Sequence, residues 1–110
     1  MIRAARLRRS RDIAAVQKTG RAIRRSAFVA RLRSSDVRTI RIAVTASRSI
    51  GTAVVRNRAR RRVREAFRRE LAAASGTGID MLVAARPEAV AAPFASLLSD
   101  AASILREGPR

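Results

Sequence analysis

Residues 52–71 read Thr-Ala-Val-Val-Arg-Asn-Arg-Ala-Arg-Arg-Arg-Val-Arg-Glu-Ala-Phe-Arg-Arg-Glu-Leu. At about 100° per residue this stretch predicts a helix. Val55, Ala59, Val63, Ala66 and Phe67 fall on one stripe, and Leu71 extends it at the edge. Asn57, Arg61, Arg64 and Arg68 fall on the opposite side, with Arg58 and Glu65 beside them. Arg56, Arg60, Arg62 and Arg69 flank the apolar stripe. Such a helix buries one face in a core and turns a comb of guanidiniums outward. An ordinary solvated helix face is mixed in sign, with acids four residues from bases. Here eight arginines lie between positions 56 and 69 with Glu65 as the one acid among them, so a polyanion is the better explanation of the pattern.

The rest of the composition agrees. The 110 residues carry a formal net charge of +17, and Lys18 is the one lysine. Arginine suits planar, bidentate phosphate contact and stacking on bases. All but three of the arginines lie within residues 1–70, whereas the acids divide evenly between that part and the remainder. The basic surface therefore belongs to the first two thirds of the chain, and the last third reads as structural. The length suits one domain with a modest core; we read residues 1–110 as a single RNA-binding domain with a basic arm over 1–9 and a tail over 107–110. There is no cysteine for a disulfide or thiolate metal site, and no histidine. No segment has the length and apolarity of a signal peptide or a membrane span, so the expectation is a cytoplasmic protein with no membrane association.

Working outward from the central helix, Ser47–Gly51 is a loop and Thr52 a cap. On its N-terminal side two segments alternate. Phe28, Ala30 and Leu32 oppose Val29, Arg31 and Arg33; Ile40, Ile42, Val44 and Ala46 oppose Arg41, Ala43 and Thr45. They read as strands over 26–33 and 39–46, paired as an antiparallel hairpin with one apolar and one basic, small-residue face. Residues 21–25 suggest a short edge strand. Ser10 is placed to cap a helix through Lys18 that ends at Gly20, with Asp12 in its first turn, Ile13 and Val16 facing inward, and Leu7 anchoring the arm before it.

C-terminal to the central helix, residues 72–78 form a small-residue exit. Ile79–Ala85 is an apolar run suited to a strand buried on both faces, stopped at Arg86-Pro87. A last helix over 93–106 turns Phe94, Leu97, Leu98, Ala101, Ile104 and Leu105 inward. The expected fold is α+β: a four-stranded sheet with helices in the order α-β-β-β-α-β-α.

Catalysis by this chain alone finds no support in its residues. There is no His–Cys pair, no tyrosine, and no metal-ligand spacing among the eight acids. Asp12, Asp36, Asp80 and Asp100 read as cap, turn or surface residues. RNA binding is better supported, since arginines neutralise phosphates with release of counterions. The three aromatics, Phe28, Phe67 and Phe94, all fall on core stripes. Base contact must then use arginine planes or aliphatic groups, which points to a partner read by backbone and shape. A second basic surface is the sheet face of Arg31, Arg33 and Arg41, with Ala43 and Thr45 between; an ordinary solvated face is an equal reading of it.

Ser47-Arg48, Gly51, Val54-Val55-Arg56-Asn57-Arg58, Arg60-Arg61 and Arg64-Glu65-Ala66-Phe67-Arg68 resemble the signature of the protein subunit of bacterial ribonuclease P. The likeness extends to Lys18-Thr19-Gly20, to the strand end at residues 43–48 and to the strand from Asp80 to Arg86-Pro87. It implies a left-handed βαβ crossover through the central helix, although such connections are ordinarily right-handed. It implies a protein that binds a catalytic RNA and assists removal of the 5′ leader from precursor tRNA, an enzyme subunit whose chemistry is carried by the RNA with Mg2+ and not by protein side chains. No obligate protein partner is implied. Arg48, Arg56, Asn57, Arg58, Arg60, Arg61, Arg64 and Arg68 are then expected on the catalytic RNA. A cleft of Ile13, Gln17, Arg31, Arg33 and Arg41 is expected to hold the leader. The family commonly has phenylalanine or tyrosine where Ile13, Gln17 and Arg31 stand, so leader binding here would rest less on stacking and more on charge. The alternative function is a ribosomal or other structural RNA-binding protein with no part in cleavage. A DNA-binding module ranks third, since no paired recognition-helix motif is present.

Overall fold

The computed structural model describes residues 5–72 and 78–109. Five strands and three helices follow in the order β1 (Ala5–Arg6), α1 (Ser10–Thr19), β2 (Arg21–Arg24), β3 (Phe28–Ser34), β4 (Ile40–Ala46), α2 (Ala53–Ala72), β5 (Ile79–Ala85) and α3 (Phe94–Glu107). Short 3₁₀ turns, Arg48–Ile50 and Pro87–Val90, precede α2 and α3. The fold class is α+β, with five strands where four are expected. The additional strand is the end of the basic arm, which pairs in parallel with β4 through Ala5–Arg41 and Arg6–Ile42. Leu7 continues that edge, donating its N–H to the Ile42 carbonyl at 2.9 Å, and is buried as the expected anchor. Of the small-residue exit expected over 72–78, residues 73–77 lie outside the described residues.

The expected hairpin of β3 and β4 does not form. The sheet order is β1-β4-β5-β3-β2, with β5 between the two alternating strands, parallel to β4 and antiparallel to β3. Alternation sets which way side chains face; it carries no information on which strand lies next door. The apolar run of β5 suits the centre, where both its edges are paired and Met81, Leu82 and Val83 are buried between the layers on either side. The link from β3 to β4 consequently passes across the start of β5. Ser35 donates its N–H to the Gly78 carbonyl at 3.0 Å, and a Cβ at Gly78 would sit 1.6 Å from the Val37 carbonyl oxygen. No side chain fits at that crossing.

Each face of the sheet has its own cover. Phe28, Ala30 and Leu32 of β3, Ile40 and Val44 of β4, and Met81 and Val83 of β5 pack with Ala59, Val63, Ala66, Phe67 and Leu71 of α2 and with Leu97, Ala101 and Ile104 of α3. The rings of Phe28 and Phe67 meet edge to face, centroids 5.2 Å apart, which fixes α2 on the sheet. Phe94 is half-buried, at the margin of this core, with the Arg69 guanidinium over its ring at 5.0 Å. The opposite face carries a smaller cluster of Leu7, Val16 and Leu82, against which Ile13 and Ala43 pack; this is where α1 docks.

The helix ends follow local chemistry with one exception. Thr52 caps α2, its hydroxyl accepting from the Val55 N–H at 3.4 Å. Gly51 before it holds φ 149°, a backbone state that side chains disfavour. Ser10, expected as the cap of α1, is instead its first helical residue. Arg9 takes the cap position without a side-chain hydrogen bond, and its carbonyl accepts from the Asp12 and Ile13 amides, both at 3.0 Å.

Candidate nucleic-acid interface

The apolar stripe of α2 is buried from Ala59 to Leu71 and half-buried at Val55; Asn57, Arg58, Arg61, Arg64 and Arg68 are exposed, while Arg56 and Arg60 are half-buried. Arg48 is exposed in the 3₁₀ turn just before the helix. The comb nevertheless divides into two flanks with different surroundings.

One flank leans toward α3. Arg62 donates to the carbonyls of Ala89 at 2.6 Å, Ala92 at 2.6 Å and Val90 at 3.2 Å. Arg58 joins it with a 3.2 Å bond from Nε to the Val90 carbonyl. These side chains fasten α2 to the segment that leads into α3, satisfying carbonyls that no regular element pairs. Arg58, expected on RNA, thus already spends one donor on the fold.

The other flank leans toward β1 and holds most of the exposed guanidiniums. Arg60, Arg64 and Arg68 line a groove of about 360 Å³ between α2 and the sheet edge, with Arg6 opposite and Ile42, Val44 and Leu71 among its apolar lining. A shallower depression, bordered by Arg6, Val54, Asn57, Arg60, Arg61 and Arg64, lies on the same side of the helix. Val54 is 76% exposed, unusual for a large apolar side chain. Arg60 donates to the Asn57 Oδ1. Partial burial, together with the like charges of Arg6 and Arg60, holds the Arg64 guanidinium below the usual arginine range, so it lies among cations with no acid to relieve it. Sequence reading did not reach Arg6 and Val54. A two-residue strand carries too little pattern to be seen in sequence; Val54 falls outside the apolar stripe on the side of Arg61 and Arg68, so its exposure is what the periodicity implies, but one apolar residue among arginines carries no signal of a site.

The one acid inside the comb is committed to its C-terminal end. Glu65 accepts from Arg68 at 2.9 and 2.6 Å and from Arg69 at 2.9 Å. Those bonds, Arg68 first, pull its carboxyl down to about 2. Arg61 is not among its partners in these bonds.

The sheet face under α1 differs from expectation at Arg41. Its Nε and Nη2 each donate to the Asp80 carboxylate at 2.7 Å, and Nη1 reaches Asp12 at 3.4 Å. Its hydrogen bonding to the Asp80 carboxylate is the largest cause of its raised pKa. Asp80, read from sequence as a cap, turn or surface residue, is 2% exposed and is the buried partner of this pair. Asp12 is likewise more than a first-turn charge, tying α1 to the sheet. Arg33 and Arg31 are exposed on β3, the former donating from Nε to the Thr19 hydroxyl at 3.1 Å. Ile13 is half-buried against the small cluster, and Gln17 is exposed on α1. Registers place Val29, Ala84 and Thr45 in one row across three strands and Ala22 beside Arg31. The open part of this face is therefore small-residue and bordered by Arg31 and Arg24. Ala84 belongs to it although the apolar run had suggested burial throughout β5.

The chain matches the family model described as Ribonuclease P over residues 1–108. It is 41% identical over 108 residues to the ribonuclease P protein component of Chloroflexus aurantiacus, covering 97% of this chain and 79% of that protein. It is 34% identical over 106 residues to that of Gluconacetobacter diazotrophicus, covering 96% and 91%. Among solved structures it is similar to the RNase P protein from Thermotoga maritima, with a TM-score of 0.78 at 27% identity over 93% of this chain and 96% of that one. The Staphylococcus aureus RNase P protein shares the fold, with a TM-score of 0.76 at 23% identity over 96% and 95%. The signature on α2, the five-stranded sheet around it and these matches along nearly the whole length lead to one assignment: the chain belongs to the ribonuclease P protein family.

Proposed function

We propose that this chain is the protein subunit of a cytoplasmic ribonuclease P holoenzyme, holding the catalytic RNA on the outer face of α2 and the precursor tRNA leader on the sheet face beside α1. The observation that carries the reading is the outward comb on the β1 flank of α2, where Arg61 and Arg64 have no acidic partner in the ion pairs of the described residues. Unrelieved like charge in that density is costly until a polyanion neutralises it. Arg48, Arg56, Asn57, Arg58, Arg60, Arg61, Arg64 and Arg68 serve the catalytic RNA, with Arg58 keeping one donor and Arg68 two on protein partners.

Arg31, Arg33, Gln17 and the small residues between the strands serve the leader. Arg41 and Ile13 act there by shaping the face, Arg41 through Asp80 and Asp12. Among the described residues no group of three acids gathers to hold a metal, and no step is assigned to a protein-held ion. Mg2+ bound to the RNA supplies the cleavage chemistry; the protein supplies position and charge compensation.

Processing of a precursor tRNA by the cognate catalytic RNA, with and without the protein across a magnesium series, tests this. The protein should lower the magnesium required and favour substrates that carry a leader. Unchanged magnesium demand together with unchanged leader preference would rule the reading out.

A further inference from the structure

The groove between β1 and α2 has a feature that phosphate binding alone does not explain. Its rim is cationic, with Arg6, Arg60, Arg64 and Arg68 and no acid in the lining, yet Ile42, Val44 and Leu71 also line it. A phosphate backbone lying across guanidiniums has no use for an aliphatic recess. A nucleotide brings both, an anion joined to a flat apolar face. The volume of about 360 Å³ sits at the lower end of the roughly 300–1,000 Å³ typical of small-ligand sites, room for one base and its ribose.

We infer that this groove takes up a single unpaired nucleotide of the RNA partner, its base against Ile42 and Leu71 and its phosphate on Arg6, Arg60 and Arg64. The inference rests on the reading of α2 as the face that meets the catalytic RNA, and it adds a base-holding subsite to that face. Three details favour it. Arg68 is shared with Glu65, which leaves the phosphate to Arg60 and Arg64 of α2 and Arg6 of β1. Arg64 sits among like charges that an incoming anion would relieve. Phe28 and Phe67 are buried and Phe94 lies under Arg69, so none of them lines the groove, and an aliphatic wall with guanidinium planes is the means of base contact available there.

The test uses the full chain and adenosine 5′-monophosphate, with ribose 5-phosphate as the control lacking a base, followed by methyl and guanidinium NMR. The nucleotide should shift the Ile42 and Leu71 methyl signals saturably, whereas the control should move only the arginine signals. Equal methyl shifts from the two ligands, or nucleotide shifts confined to the Thr45 and Ala84 face, would overturn the inference.

A second measurement uses the catalytic RNA. Ile42→Trp fills the groove at constant charge and should weaken RNA binding about tenfold, lowering the salt dependence by no more than the one phosphate contact it displaces. Arg61→Gln, outside the groove, should lower the salt dependence. If Arg61→Gln weakens binding and Ile42→Trp does not, the groove inference alone fails; if neither does, the reading of α2 fails with it. Should Ile42→Trp not fold, Arg6→Gln at the exposed sheet edge takes its place, and retention of the nucleotide-induced Ile42 shift in that variant would overturn the proposal.

Discussion

Arg62 and Arg64 stand two positions apart on α2 and do different work. Arg62 is half-buried and donates to three backbone carbonyls, and its loss leaves those of Ala89 and Ala92 without that donor while Val90 keeps its bond from Arg58. Arg62→Ala should lower stability by about 1.5–3 kcal/mol in denaturant unfolding, and the salt dependence of RNA binding should stay as it is. Arg64 is exposed among cations. Replacing Arg61 and Arg64 by Ala should leave unfolding nearly unchanged and reduce the slope of log affinity against log salt by about 0.7–0.9 for each phosphate no longer neutralised. A loss of stability in the Arg61 and Arg64 variant matching that of Arg62→Ala would mean the helix faces have been assigned wrongly. The sequence distinguished the apolar stripe from the comb. It did not distinguish arginines that hold the fold from those free for RNA, because the carbonyls that Arg62 satisfies lie 27 to 30 residues further along the chain.

At the level of elements, α2 is held by its apolar side and β5 by its position. Phe67 is fully buried against Phe28. Phe67→Ala should therefore cost about 3–5 kcal/mol through reduced burial and cavity formation, read as a lowered unfolding midpoint. Gly78 matters for a different reason: a Cβ there meets the backbone of the β3–β4 link, which cannot move aside as a side-chain tip could. Gly78→Ala should destabilise by about 1–3 kcal/mol, with loss of amide-exchange protection where β5 begins. The positions of β2 to β5 along the chain were legible from alternation and from the Ile79–Ala85 run, and so were the helices; β1 was not. The partnering was not. A hairpin is the local answer to two alternating segments joined by Ser34-Ser35-Asp36, and it was displaced by the need of a later strand to be covered on both sides.

For the whole molecule, charge sets the response to acid. The Glu65 carboxyl is held near 2 by Arg68 and Arg69, and Glu107 is lowered by Arg25 and then by Arg21, which clasp α3 to β2. A carboxyl depressed in the folded state contributes stability at pH above its ordinary value of 4.5 and loses that contribution as pH falls toward its folded value. The thermal midpoint should thus decline between about pH 4.5 and 2. Glu65→Gln with Glu107→Gln should start lower at neutral pH and show a flatter decline. An unaltered pH profile in the double variant would show that these pairs are too well solvated to matter, as exposed pairs often are.

The sequence by itself determined the three helices and four of the five strands, the buried stripe of α2, the excess of arginine on its outer side and, through the ordered signature across positions 47–68, the family. These are local properties, fixed by spacing along the chain and by residue chemistry. Only the tertiary structure decided that β5 parts β3 from β4, that Arg6 of a two-residue strand closes a groove with Arg60 and Arg64, that Arg62 is a fastener, and that Arg41 is neutralised by a buried Asp80. Each of those depends on groups brought together from distant positions, and long-range pairing is chosen by how the whole core is covered, which no window of sequence contains.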